Sequence, residues 1–181
     1  MAPSTPADAK GMLKTAIRDN NPVIFMEHRQ CYAMKGEVPD DPEFLIPFGK
    51  ANVLREGKDI TIISYSFMVH EAMKAAEELA KEGIDCEVID LRSIKPLDVE
   101  TIVASVKKTG RALCAQETWL TCSVSSEVAS VIADQCFHAL KAPVKRVGSP
   151  DCPAPFAPSL ETYVLPGKGK IIDGVREVMK G

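Results

Sequence analysis

Residues 60–90, ITIISYSFMVHEAMKAAEELAKEGIDCEVID, change hydrophobic period twice, and that change sets the fold. Ile60-Thr61-Ile62-Ile63 is a near-continuous apolar run, as a strand covered on both faces requires. Val69, Ala72, Met73, Ala76, Leu79 and Ala80 then share one face at helical spacing. Ser66 stands where it can cap that helix, and Gly83 where it can end it. Residues 86–90 return to strand. A strand, a helix and a strand in this order make the crossover that joins parallel neighbours.

The same alternation continues outward. LRSIKPLD (91–98) leads to a helix over 98–108 closed by Gly110, a strand over 111–115 and a helix over 125–139. A strand at 143–147, a proline-rich loop and a helix over 171–179 complete the chain, and residues 51–54 give one more strand upstream. The pattern predicts a three-layer α/β/α domain.

Further upstream the period disappears. QCYAMKGEVPDDPEF (30–44) carries Gly36, Pro39 and Pro42 among acids and reads as a linker over a surface. Before it, Thr5-Pro6 is an N-cap followed by proline at the first helical position. Met12, Leu13, Ala16 and Ile17 form an apolar stripe, and Asn20-Asn21-Pro22 stops the helix. Val23-Ile24-Phe25-Met26 then reads as a strand buried on both faces. The division is thus residues 1–28, a linker over 29–43, and a domain over 44–181. The first unit is a helix and a strand with no sheet of their own, so it is expected to pair with another chain or to be poorly ordered.

Composition narrows the function classes. The 181 residues are 45% hydrophobic and 26% charged with a net charge of −3, so no basic footprint for nucleic acid is present. No apolar run reaches the ~18–20 residues of a membrane span, and no signal peptide is evident. The six cysteines show no CxxC pair, which points to reduced core thiols and a cytoplasmic (bacterial) or mitochondrial-matrix setting.

Motifs for self-contained chemistry are absent: no GxxxxGK[ST], no GxSxG, no HExxH and no GxGxxG. His28 lies at the carboxyl end of a strand, where ligands of open α/β sheets bind, or it makes a loop hydrogen bond. Glu117 beside Trp119 could be an acid/base site, although a loop packed on a neighbouring domain is the favoured reading. Arg92 suits a fixed ion pair with a carboxylate or phosphate, or an internal salt bridge that shapes its loop.

Four stretches together carry a resemblance: FLIPFGKA (44–51), CEVIDLRSIKPLD (86–98), SPDCPAPFAPSLE (149–161) and AIRDNNPV (16–23). They resemble the β subunit of thiamine-diphosphate-dependent 2-oxo acid dehydrogenases of the pyruvate, branched-chain and acetoin type. The resemblance implies a mostly parallel five-stranded sheet in a transketolase-like C-terminal domain, with residues 1–28 as the last helix and strand of a pyrimidine-binding domain. It implies that the chain is a fragment, or one product of a split or truncated gene, inactive alone. The whole enzyme would use thiamine diphosphate and magnesium, and this domain would serve assembly. Its partners would be an alpha subunit, a second beta subunit in a heterotetramer, and the subunit-binding domain of the acyltransferase core. In relatives the stretch equivalent to Ala16, Ile17, Asp19 and Asn21 supplies oxygen ligands to potassium, which fits unpaired helix-end carbonyls beside Asp and Asn oxygens. Arg92, Trp119, Lys141 and Asp151 are placed at subunit or partner contacts. Lys141 replaces an acidic docking residue of some relatives, and Ser123 and Ser125 replace glycines, so the docking chemistry and that loop are expected to differ. The alternative is a stand-alone interaction module without catalytic partners.

Overall fold

The computed structural model describes residues 1–181. Its centre is a five-stranded sheet in the order β1-β3-β2-β4-β5, made of Asn52–Arg55, Ile60–Ser64, Cys86–Asp90, Ala112–Trp119 and Lys145–Ser149 numbered along the chain. β2, β3, β4 and β5 are mutually parallel, and β1 lies antiparallel on the β3 edge. Helices α2 (Met68–Ala80), α3 (Val99–Thr109), α4 (Val124–Cys136) and α6 (Lys168–Lys180) cover it.

Side-chain alternation along the strands divides the core in two. Ile60, Ile62, Val88, Leu113 and Ala115 pack with α2 and α6 residues such as Leu79 and Ile171. Ile63, Ile89, Ala112 and Cys114 face the other way, onto Ile102 and Val106 of α3 and Ile132 of α4. Both faces are therefore dry, which is why the central strands read as apolar runs. The three-layer expectation holds, with the mostly parallel sheet.

Local chemistry explains most boundaries. Asp98 caps α3 by accepting from the Thr101 N–H, and Gly110 ends that helix at φ 74°, a left-handed conformation that costs glycine nothing. Ser66 does not cap α2, as its position suggested. It sits at φ 53° in the tight turn after β2, and the helix begins after Phe67 without a side-chain cap. The proline-rich loop contains a further short helix, α5 (Pro158–Val164), that hydrophobic period could not reveal because its residues through Tyr163 are exposed.

The largest correction concerns the first 28 residues. Helix α1 (Pro6–Arg18) forms as expected, with a capping box in which Thr5 and Asp8 exchange hydrogen bonds. Residues 23–26, however, are not a strand buried on both faces. They are extended without a ladder, and their burial alternates: Val23 and Phe25 turn inward while Ile24 and Met26 are 79% and 44% exposed. The only backbone partner that reaches them is Met1, whose amino group donates to Ile24 O (2.8 Å) and whose carbonyl accepts from Met26 N–H (2.8 Å). An apolar run predicts burial, but it does not supply neighbouring strands.

Nor is the segment left loose on its own domain. Met12 is fully buried against Met1 and Ile46, with Phe44 and Phe48 around them. Gly11 permits this approach, since a Cβ there would stand 2.8 Å from Ile46 and Phe44 side chains. The unit therefore packs on its own chain, which the expectation of pairing elsewhere did not foresee.

Candidate functional site

β2 is followed by a connection to one side of the sheet and β4 by a connection to the other, so the order of strands reverses between them. Ligands of open α/β sheets bind outside the carboxyl ends at such a point. Here Tyr65, Ser66 and Phe67 leave β2 while Glu117, Thr118 and Trp119 end β4. His28 reaches in from the chain after α1. Together with Ala2 and Met26, His28, Tyr65, Ser66, Phe67, Glu117 and Thr118 line a cavity of about 160 Å³.

His28 and Glu117, far apart in sequence, meet there with Nε2 and Oε2 2.8 Å apart. His28 Nδ1 accepts from the Gln30 N–H at 3.2 Å, so the ring proton lies on Nε2 and is donated to the Glu117 carboxylate. The imidazole also stacks on Phe67, with centroids 4.9 Å apart. The arrangement pins the residues after α1 to the end of β4. No cluster of three or more His, Cys, Asp or Glu stands where it could hold a metal.

A larger cavity of about 620 Å³ adjoins it, lined by Tyr65, Trp119, Val124, Cys122, Cys152 and Leu165 among others. Trp119 is 52% exposed, and its indole N–H donates to the Cys152 carbonyl at 3.0 Å. Asp151 accepts from the Thr121 hydroxyl, bridging the loops after β4 and β5. Buried Gln116 holds the β4 end: its Oε1 accepts from Ser125 N–H (2.8 Å) and its Nε2 donates to Trp119 O (2.6 Å). Ser123 caps α4 through Ser126 N–H. The serines at 123 and 125 thus shape the turn by hydrogen bonds.

Arg92 follows β3 and takes φ 55°. Its Nη2 lies 2.7 Å from Asp8 Oδ1, and that carboxylate is almost wholly buried. Asp8 belongs to α1, so the ion pair fastens the first unit to the sheet. A second carboxylate completes a network that sequence reasoning missed. Asp90 is buried at the end of β3, and the Ser4 hydroxyl lies 2.5 Å from Asp90 Oδ2 and 3.1 Å from Asp8 Oδ2. Burial, with Asp8 nearby, pushes the Asp90 carboxyl up to about 6 despite those hydrogen bonds and the Arg92 N–H. Thr5 as the N-cap was visible in sequence, but the contact of Asp8 with residues 90 and 92 was not. Ser66, Arg92 and Cys122, the three non-glycine residues at positive φ, all follow carboxyl ends of β2, β3 and β4. Such conformations cost about 1–3 kcal/mol each and concentrate where loops are held for a purpose.

The other two groups of expected residues lie elsewhere. Lys141 Nζ donates to Thr109 O at 3.3 Å and so completes the carboxyl end of α3, where a cation suits the helix dipole. Ala16, Ile17, Asp19 and Asn21 lie at the exposed end of α1. Asp19 Oδ1 accepts from both Asn21 N–H (2.7 Å) and Asn21 Nδ2 (2.9 Å), closing a turn that is satisfied by itself. The oxygen donors are right in kind for potassium, but this closed turn is not a preformed cage.

The architecture has a counterpart. The family described as transketolase, C-terminal domain, matches residues 49–171. The chain belongs to the transketolase C-terminal-domain family. The family described as transketolase, pyrimidine binding domain, matches residues 1–35. The chain is 46% identical over 181 residues to the acetoin:2,6-dichlorophenolindophenol oxidoreductase subunit beta of Cupriavidus necator, covering 100% of this chain and 53% of that one. It is 48% identical to the 2-oxoisovalerate dehydrogenase subunit beta of Bacillus subtilis, covering 97% and 54%. It is also 48% identical to the pyruvate dehydrogenase E1 component subunit beta of the same organism, covering 98% and 54%. A solved structure titled "Split gene transketolase, inactive beta4 tetramer" superposes with a TM-score of 0.81 at 28% identity, covering 98% of this chain and 56% of that one. The chain therefore spans about half the length of the curated relatives it matches. No helix is long and apolar enough to cross a membrane.

Proposed function

We propose that this transketolase-family chain acts as the C-terminal part of the β subunit of a 2-oxo acid dehydrogenase, where it serves assembly and not substrate choice. One observation carries the reading. Its identity to β subunits named for acetoin, 2-oxoisovalerate and pyruvate is 46%, 48% and 48%, nearly equal for three different substrates, which supports a role that the three share. Shared identity across different substrates fits a scaffold.

In this reading the whole enzyme decarboxylates a 2-oxo acid and passes the acyl group to a lipoyl-lysine. Thiamine diphosphate with magnesium would supply the carbanion stabilisation. No residue of this chain is assigned to that cofactor. The chain's own residues do structural work: Asp8, Asp90 and Arg92 fix the pyrimidine-type segment to the sheet, and His28–Glu117 fixes its end. The partners are an alpha subunit, a second beta subunit and the acyltransferase core, with Trp119 and Asp151 on a loop surface available to them. Potassium would draw on the Ala16 and Ile17 carbonyls and on Asp19, and it would have to open the Asp19–Asn21 turn. The setting is the bacterial cytoplasm or the mitochondrial matrix.

An exchange tests this. Residues 1–181 are grafted in place of the matching half of the Bacillus subtilis pyruvate and 2-oxoisovalerate β subunits. Each hybrid is expected to assemble and keep its host's substrate preference. A hybrid that changes preference, or that folds but fails to assemble, refutes the assignment. The isolated chain should show no micromolar binding of thiamine diphosphate with magnesium by calorimetry, and no pyruvate decarboxylation.

The neighbour titled an inactive beta4 tetramer supports a second reading, self-assembly without catalytic partners. A tetramer of the isolated chain in light scattering would favour it.

A further inference from the structure

We propose that the crevice where β2 and β4 end is a binding site for a small organic cation, a primary ammonium on an aromatic or aliphatic body. The two cavities at this point have Met26, Tyr65, Glu117 and Thr118 as a common wall. The larger, about 620 Å³, falls within the roughly 300–1,000 Å³ of small-molecule sites. Its walls are mainly apolar, with Trp119 and Tyr65 as the aromatic surfaces. Hydroxyls and one carboxylate, that of Glu117, supply its polar side chains, and no lysine or arginine lines it.

Glu117 decides the sign of the ligand. Its side chain is 29% exposed, and its one basic neighbour is His28. His28 accepts the Gln30 N–H on Nδ1, so the ring is neutral and donates a hydrogen bond without cancelling the carboxylate charge. Only Oε2 is engaged; Oε1 has no partner and is not sealed from solvent. Arg146, on the neighbouring strand, is occupied with Leu120 O at 2.7 Å and Ser126 Oγ at 2.6 Å. A part-buried carboxylate without a counter-cation is costly beside apolar walls, and an ammonium donating to Oε1 offsets that cost. The charge is felt inside the cavity: burial, with Glu117 adding to it, raises the Tyr65 phenol above its ordinary range. Asp151, held by the Thr121 hydroxyl, sets a second negative charge beside the cavity, so an anionic ligand would be repelled.

The receiving groups are held in place before any ligand arrives. Glu117 is fixed at its carboxylate by His28, itself stacked on Phe67, and at its carbonyl by the Ser149 hydroxyl at 2.7 Å. Trp119 is fixed by its indole N–H on Cys152 O, yet the residue is half exposed, so ring surface remains open. A cation within about 6 Å of a ring centroid is drawn to the negative face of the indole. A primary ammonium satisfies both groups at once, with an N–H on Glu117 Oε1 and its charge against Trp119, while its body covers Val124 and Leu165. The site does not depend on the assembly role proposed above, since all its groups lie in this chain.

The full chain is titrated with phenethylammonium chloride, and with phenethyl alcohol and phenylacetate as the neutral and anionic counterparts. Calorimetry reads the affinity, and Trp119, the sole tryptophan, reports contact through its emission. Saturable binding of the ammonium is expected, at least about tenfold tighter than that of the alcohol, as one charge-assisted hydrogen bond provides. Phenylacetate should bind weakest. Glu117→Gln keeps an acceptor for His28 and removes the charge, so ammonium and alcohol should bind that variant equally. Equal affinity for the three probes, a preference for phenylacetate, or no saturable binding overturns the proposal. So does a Glu117→Gln chain that folds by circular dichroism and still prefers the ammonium. If that variant fails to fold, the three-probe series on the wild type decides alone.

Discussion

Replacing Asp90 by asparagine should stabilise the protein at neutral pH and leave it nearly unchanged in mild acid. Asp90, Asp8 and Arg92 meet around the single Ser4 hydroxyl, which has one proton and cannot donate to both carboxylates. When Asp90 is protonated it donates to Ser4, Ser4 donates to Asp8, and Asp8 pairs with Arg92. When Asp90 is ionised, two buried carboxylates compete for the one Ser4 proton, Asp8 keeping its Thr5 and Arg92 contacts and Asp90 only the Arg92 N–H. Burial raises its pKa from 3.8 to about 6. Its folded value thus lies above its unfolded value, so folding favours the protonated form. The contribution is complete below about pH 4 and is lost as pH rises through about 6. At about 1.4 kcal/mol for each pH unit, the full loss is about 3 kcal/mol. The asparagine of the Asp90→Asn variant cannot ionise. Its oxygen still accepts from the Arg92 N–H, and its amide can donate to Ser4. The assay is urea unfolding followed by circular dichroism from about pH 4 to about pH 8, on wild type and variant. Taking the difference cancels the other carboxylates. The gap should open between about pH 4 and pH 6 in the variant's favour and level off near 3 kcal/mol above. A gap that stays constant with pH, or a variant less stable than wild type at pH 8, would refute the shared-proton reasoning.

Two further changes follow from the same contacts. Arg92→Ala leaves Asp8 buried without its partner, which should cost about 3 kcal/mol by urea unfolding and open α1 to protease. Lys141→Glu sets an anion against the carboxyl end of α3, and a loss of about 0.5–1 kcal/mol that fades with added salt is expected; an unchanged midpoint would mean that the Thr109 contact contributes nothing.

What the sequence determined by itself was the alternation of strand and helix, and with it the layered sheet. Ile60-Thr61-Ile62-Ile63 is apolar enough for only one environment, and the stripe of α2 has only one face to bury. Thr5 and Gly110 act on atoms a few residues away, so their roles were legible too. Contacts between distant residues were not. Nothing local in His28 indicates Glu117, and nothing in Asp8 indicates Arg92 or Asp90, because the partners converge only once β2, β3 and β4 end side by side. The run at 23–26 shows the same limit from the other side: hydrophobicity states that a segment wants cover, but pairing needs a neighbour with free backbone groups, and the fold brings it only Met1. Lys141 marks the difference most plainly. Its charge is written in the sequence, but the helix end it serves was decided by where α3 stops, thirty-two residues earlier in the chain.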